Sequence, residues 1–97
     1  MSRFKLSAPA RRDLREIRDY IALDNVPAAR KFLARITEAS HGLAEMPGQG
    51  HLREDLTELP VRFWPVGAYL IVYDPATRPL EILRVLHGAR DVGTVLT

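Results

Sequence analysis

Two stretches of the chain place an apolar residue at every third or fourth position, and around them lie shorter runs that alternate or are apolar throughout. Ala10, Leu14, Ile17 and Ile21 recur at spacings of 4, 3 and 4, the stripe of an amphipathic helix over about residues 8–23. Ser7 precedes it as a hydroxyl cap, and Pro9 sits in the first turn, where a missing N–H costs nothing. The second stripe is Phe32, Ile36, Ala39, Leu43 and Met46, with Asn25 as cap, Pro27 in the first turn and Pro47-Gly48 as the stop. Almost no linker separates the two, which predicts an antiparallel helical hairpin with both stripes turned to one layer.

Strands supply that layer. Phe4 and Leu6 alternate with Arg3 and Lys5 ahead of the first helix. Residues 47–58 are polar and glycine-bearing without periodicity, which predicts an exposed loop. Three strand patterns follow, over residues 59–64, 68–74 and 79–87, joined by Pro65-Val66-Gly67 and by residues 75–79. Turns this short predict an antiparallel meander. The expected fold class is α/β of the α+β kind: an N-terminal strand, a helical hairpin, and a three-stranded meander that completes the sheet within one domain, residues 1–97.

The last two strand patterns are apolar on both faces, Leu70 and Val72 against Tyr69, Ile71 and Tyr73, then Ile82 and Leu86 against Leu83 and Val85. A strand apolar on both sides is covered on both sides. One helical hairpin covers one face, so the other face calls for twist, the tail or a partner chain. In a regular strand Arg84 shares a face with Ile82 and Leu86, and His87 one with Leu83 and Val85, so the two meet only if the strand kinks near Gly88.

Composition narrows the functional classes. The 97 residues include no cysteine, which removes disulfides, thiolate metal sites and a cysteine nucleophile and fits a reducing compartment, the cytoplasm. Apolar residues make 46% and charged residues 27%, the mixture of a folded globular chain. No run approaches the roughly 20 apolar residues of a membrane span, and the first residues carry no signal-peptide pattern. Fourteen basic and twelve acidic side chains leave a formal charge of +2, compatible with an acidic partner or a nucleic acid. Arg11, Arg12, Arg15 and Arg18 stand among Asp13, Glu16 and Asp19, where i,i+4 pairs Arg12/Glu16 and Arg15/Asp19 would make a solvated face.

Candidate chemistry concentrates where the last strand ends. His87 reads as a proton-transfer group or, preferably, as a strand-end histidine bonded to backbone. Arg90 with Asp91, past the turn at Gly88, reads either as an exposed guanidinium for a carboxylate or phosphate or as a clamp on the tail. Arg84 reads as a structural arginine with a buried stem or as an anchor for a partner. Arg53 and Arg62 add basic charge, and Trp64 reads as a core aromatic or a stacking platform. His41 and His51 lack metal-ligand spacing, and Ser2, Ser7 and Ser40 form no nucleophile motif; no metal or cofactor is expected.

The element order, with "AYLIVYD" followed by "EILRVLHGARD" at its end, resembles the ParE/RelE superfamily of bacterial toxins from toxin–antitoxin pairs. "LSAPARRDLREIRDYI" is similar to the superfamily's first strand and helix, "AARKFLARI" to its second helix, and "MPGQGHLREDL" to its proline-glycine loop with a following arginine. The resemblance implies one of two activities. RelE-like members are ribosome-dependent mRNA endonucleases with basic side chains on the exposed sheet face, and a central-strand motif like Gly-Tyr-Arg-Leu-Val-Tyr. Here the matching stretch runs from Ala68 to Tyr73 with Leu70 at the arginine position, and the C-terminal tyrosine position falls on Leu96. ParE-like members poison DNA gyrase by binding.

The resemblance therefore implies a ParE-like gyrase inhibitor that is not an enzyme. It is neutralised by a cognate antitoxin, a small DNA-binding protein encoded beside it, in a toxin–antitoxin hetero-oligomer. Arg90, Asp91, His87 and Arg53 are the expected target contacts, and Arg84, Tyr73, Leu70 and Val72 the expected antitoxin contacts, with the uncovered sheet face as one docking site. The alternatives are a RelE-like mRNA endonuclease using Arg53, Arg62, Arg84, His87 and Arg90, or an inactive member that only binds its antitoxin.

Overall fold

The computed structural model describes residues 3–91; Ser2 and Leu96 lie outside them. Strand β1 (Phe4–Leu6) leads into helix α1 (Ala8–Ala22), which turns directly into helix α2 (Val26–Glu45). Both helices start on their expected caps: Ser7 Oγ accepts the Ala10 N–H at 3.1 Å, and Asn25 Oδ1 accepts that of Ala28 at 3.0 Å. A 3₁₀ turn at Pro47–Gln49 follows, then β2 (Arg62–Val66), β3 (Tyr69–Asp74) and β4 (Leu80–His87).

The strands form one sheet in the order β1-β4-β3-β2, with β1 parallel to β4 and the other pairs antiparallel. The hairpin, the meander and the α+β class are as expected. The first strand of the meander is shifted: it begins at Arg62 and runs through Pro65 and Val66, which were expected to turn. Proline is tolerated because β2 is an edge strand. The turn is Gly67-Ala68, with Gly67 at φ 59°, the positive φ that a two-residue hairpin turn requires.

The helices pack on one face of the sheet. Ile17, Phe32, Ile36 and Leu43 meet Val66, Ile71, Tyr73, Leu80, Ile82 and Val85 in the main core. A smaller core lies on the other face, where Val61, Phe63, Val72 and Leu86 are buried and Leu56, Leu70 and Leu83 pack against them. The segment expected as an exposed loop thus contributes Leu56 to a core, and a bridge between His51 and Phe63 ties it to β2. The second face is closed in part from within the chain. Of the residues expected as antitoxin contacts, Val72 is 1% exposed in this smaller core and Tyr73 0% exposed in the main core under the helices, and neither offers a surface.

The strand parity also needs correcting. Val72 pairs with Arg84 and Tyr73 with Ile82, so Leu83 is an extra residue, a β-bulge in β4. Ile82 therefore joins Val85 in the main core, while Leu83 turns to Leu86 on the other face, the reverse of the regular-strand expectation. The kink lies at Leu83 rather than near Gly88.

Candidate functional site

The bulge sits where β4 loses its neighbour. β1 pairs with β4 only as far as Ile82, and side chains take over the exposed edge beyond. Ser7 Oγ donates to the Leu83 carbonyl at 2.7 Å, and Asp13 Oδ2 accepts the Val85 N–H at 3.0 Å. The Asp13 carboxylate also receives Arg84, Nε on Oδ2 at 2.7 Å and an Nη on Oδ1 at 2.9 Å. This fork–fork geometry is the strong form of the arginine–carboxylate pair, and Asp13 raises the Arg84 pKa further above its ordinary value. Arg84 is thus occupied as a structural clamp between β4 and α1.

Asp13 was hidden in the sequence among the charges of "ARRDLREIRDY". It lies three residues after Ala10 and four before Ile17, on the apolar stripe, and that position is the signal that could have marked it. It is 9% exposed. The expected pairs Arg12/Glu16 and Arg15/Asp19 are not formed; Arg18 bonds Asp19, its immediate neighbour, at 2.9 Å.

Past the strand end a tight turn gathers His87, Arg90 and Asp91. Asp91 Oδ2 accepts the His87 N–H at 3.0 Å, and the Asp91 N–H donates to the His87 carbonyl at 2.9 Å. The His87 N–H, helped by Arg90, holds the Asp91 carboxyl below the usual carboxylate range. Arg90 Nε bonds Asp91 Oδ1 at 3.2 Å, and its own N–H donates to His87 Nδ1 at 3.2 Å. With Nδ1 engaged as an acceptor, Nε2 is the nitrogen left for other chemistry. The imidazole meets the Tyr69 ring edge to face, with centroids 5.4 Å apart.

Between this turn and α1 lies a shallow cleft of about 140 Å³, lined by Asp13, Glu16, Tyr20, Tyr69, Arg90 and Asp91 among others. The site thus joins Arg90 and Asp91 to residues of α1 and β3 that sequence reasoning left unassigned, Tyr20 and Tyr69 above all. Tyr20 is 68% exposed at its rim.

The other expected residues lie elsewhere. Arg53 pairs with Asp55 at 2.9 Å on the surface of the connecting segment. Arg62 donates to the Gly50 carbonyl at 2.8 Å, beside Tyr73. No hydrogen bond or ion pair among the described residues joins either of them to Arg84, His87 or Arg90. Leu70 packs in the smaller core and approaches Gly88. Trp64 is half-buried against the main core and stacks on His51. Tyr73 donates to the Pro47 carbonyl at 2.6 Å and accepts the Gly50 N–H at 2.9 Å, and burial pushes its pKa up.

Residues 4–92 match the profile of the family described as ParE toxin of type II toxin-antitoxin system, parDE. The chain belongs to this ParE toxin family. It is 39% identical over 79 residues to the curated Toxin RelE2 of Caulobacter vibrioides, across 80% of this chain and 85% of that relative. A solved structure titled "Chromosomal ParDE TA system from P. aeruginosa" superposes with a TM-score of 0.70 at 26% identity, covering 90% of this chain and 96% of the other. The resemblance to the ParE/RelE superfamily is therefore established over nearly the whole chain, and the ParE-family chain is a type II toxin. Among its described residues no helix is long and apolar enough to cross a membrane, and no cluster of three or more histidine, aspartate or glutamate side chains could hold a metal ion.

Proposed function

We propose that this chain inhibits DNA gyrase by binding it, cuts no RNA, and is silenced in the cytoplasm by a cognate antitoxin in a hetero-oligomer. The observation that carries this reading is the state of the arginines. Stabilising a phosphorane takes donors aimed at the developing charge and free to meet it. Arg84 is held by Asp13, Arg90 by Asp91, Arg53 by Asp55, and Arg62 by the Gly50 carbonyl, while Leu70 occupies the central strand. Such a set suits docking better than phosphoryl chemistry. Arg90, with Asp91, His87 and the cleft beside Tyr20, is the target-facing surface in this reading. For the antitoxin, Leu70 and the strand end remain, with Val72 and Tyr73 withdrawn into the cores.

Antitoxin-free protein tests it in a gyrase supercoiling and cleavage assay run beside RNA cleavage in a translating extract. Inhibited gyrase with intact messages is the expected result. Gyrase unaffected over a wide dose range overturns it. A second reading, a ribosome-dependent mRNA endonuclease, draws support from the 39% identity to a protein named Toxin RelE2 and from Arg90 and the free Nε2 of His87 lying on one turn. Cleaved messages that disappear with Arg90→Ala would put this second reading first.

A further inference from the structure

The solvent face of α1 carries a positive charge that the carboxylates of the fold offset only in part. Arg11, Arg12, Arg15 and Arg18 are all exposed and, by helical spacing, share one broad side of the helix with Asp19. Arg18 is bonded to Asp19, whereas Glu16 lines the cleft near Arg90. Among the described residues Arg11, Arg12 and Arg15 meet no carboxylate. The side is four arginines against Asp19, with the exposed Glu16 at its margin and the exposed Leu23 at its C-terminal end.

That composition separates the possible occupants. A stable protein interface has an apolar core with aromatic anchors, whereas here the one large apolar residue, Leu23, stands at the helix end and no ring lies among the arginines. Single-stranded nucleic acid is held by bases stacked on aromatic rings, and these too are missing. A duplex backbone needs only charge and hydrogen bonds at the right span, and guanidinium groups meet phosphates in bidentate fashion. From Arg11 to Arg18 the helix rises about 10 Å, close to the roughly 12 Å width of the B-DNA major groove. The geometry points to α1 as a sequence-independent contact for the phosphate backbone of duplex DNA, separate from the turn at Arg90.

The test is binding of the full-length, antitoxin-free protein to a labelled DNA duplex of arbitrary sequence across a salt series. Three phosphate contacts give a slope of log K against log salt of about −2.7. Arg11→Gln/Arg12→Gln/Arg15→Gln should flatten that slope by about the same amount, close to one per arginine, with an unchanged melting curve. Charge reversal at one position, Arg15→Glu, should weaken binding more than Arg15→Gln. Equal affinity and slope for variant and parent overturn the inference, as does tighter binding of single-stranded RNA or polyglutamate than of the duplex. The assay contains no gyrase, so its failure and that of the gyrase reading are distinguishable.

Discussion

The Asp13 carboxylate serves Arg84 and the backbone of Val85 together, taking two guanidinium bonds at 2.7 and 2.9 Å and the Val85 N–H at 3.0 Å. It stands where the next residue of β1 would have been and fastens α1 to the bulged edge of β4. Asp13→Ala leaves a partly buried guanidinium and a buried N–H without partners. We expect a loss of about 2–4 kcal/mol by urea denaturation with an unchanged m-value. Asp13→Asn keeps an acceptor for Val85 and should lose about half as much.

Asp91 ties the strand-end turn to pH. Its carboxyl is held below the usual range, first by the His87 N–H and then by Arg90. A depressed carboxyl contributes stability that is fully present above its unfolded pKa of about 3.9. That stability is lost as pH falls through the lower folded value. Exchange of the His87 amide should therefore stay slow at neutral pH and accelerate only below the ordinary carboxylate range. Asp91→Asn should abolish this acid transition, and an NMR titration of the turn would show it.

Gly50 and Tyr73 leave no space between them. A Cβ added at Gly50 would collide with the phenol oxygen and lie 2.8 and 2.9 Å from ring carbons Cε1 and Cζ, although the Gly50 φ is an ordinary −71°. Gly50→Ala should cost about 1–3 kcal/mol through overpacking. Tyr73→Phe should cost about 1–3 kcal/mol by unpairing the Gly50 N–H and the Pro47 carbonyl. The double variant should cost less than the sum, which a double-mutant cycle by thermal denaturation would measure.

In the proposed reading Arg90 docks on the target, and the fold can spare it. Its side chain is 66% exposed, and its side-chain ion pair is with the adjacent Asp91. Arg90→Ala should leave the melting temperature unchanged and raise the concentration for half-inhibition of gyrase by about 10-fold or more, as for an interface hot spot. An unchanged inhibition curve would move the target contact elsewhere on the chain.

The helices were legible because their information is local. Stripe, cap and first-turn proline lie within a few residues of one another, and Ser7 and Asn25 cap as their positions promised. The face assignment in β4 was not, because Ile82 and Leu83 are both apolar, so a bulge leaves no break in alternation to read. Leu56 was obscured by the polar residues around it and Asp13 by the arginines, and the partners of each come from distant parts of the chain. Pro65 looked like a turn residue because sequence does not announce that its strand is an edge. At the candidate site, the arginines were visible and the Arg90–Asp91 clamp was one of two readings; the pairing of Arg84 with Asp13 and the part of Tyr20 and Tyr69 in the cleft were not.

The parallel pairing of β1 with β4 also orders events during synthesis. The helical hairpin leaves the ribosome well before the strand beside which β1 belongs. Until Leu80–His87 emerges, Ile17, Phe32 and Ile36 have no complete sheet to cover them, and Asp13 has no arginine to hold. A chain whose translation stops before Leu80 can close neither the sheet nor the turn that presents Arg90, so the surface proposed to meet the target comes into being only after β4 has been made.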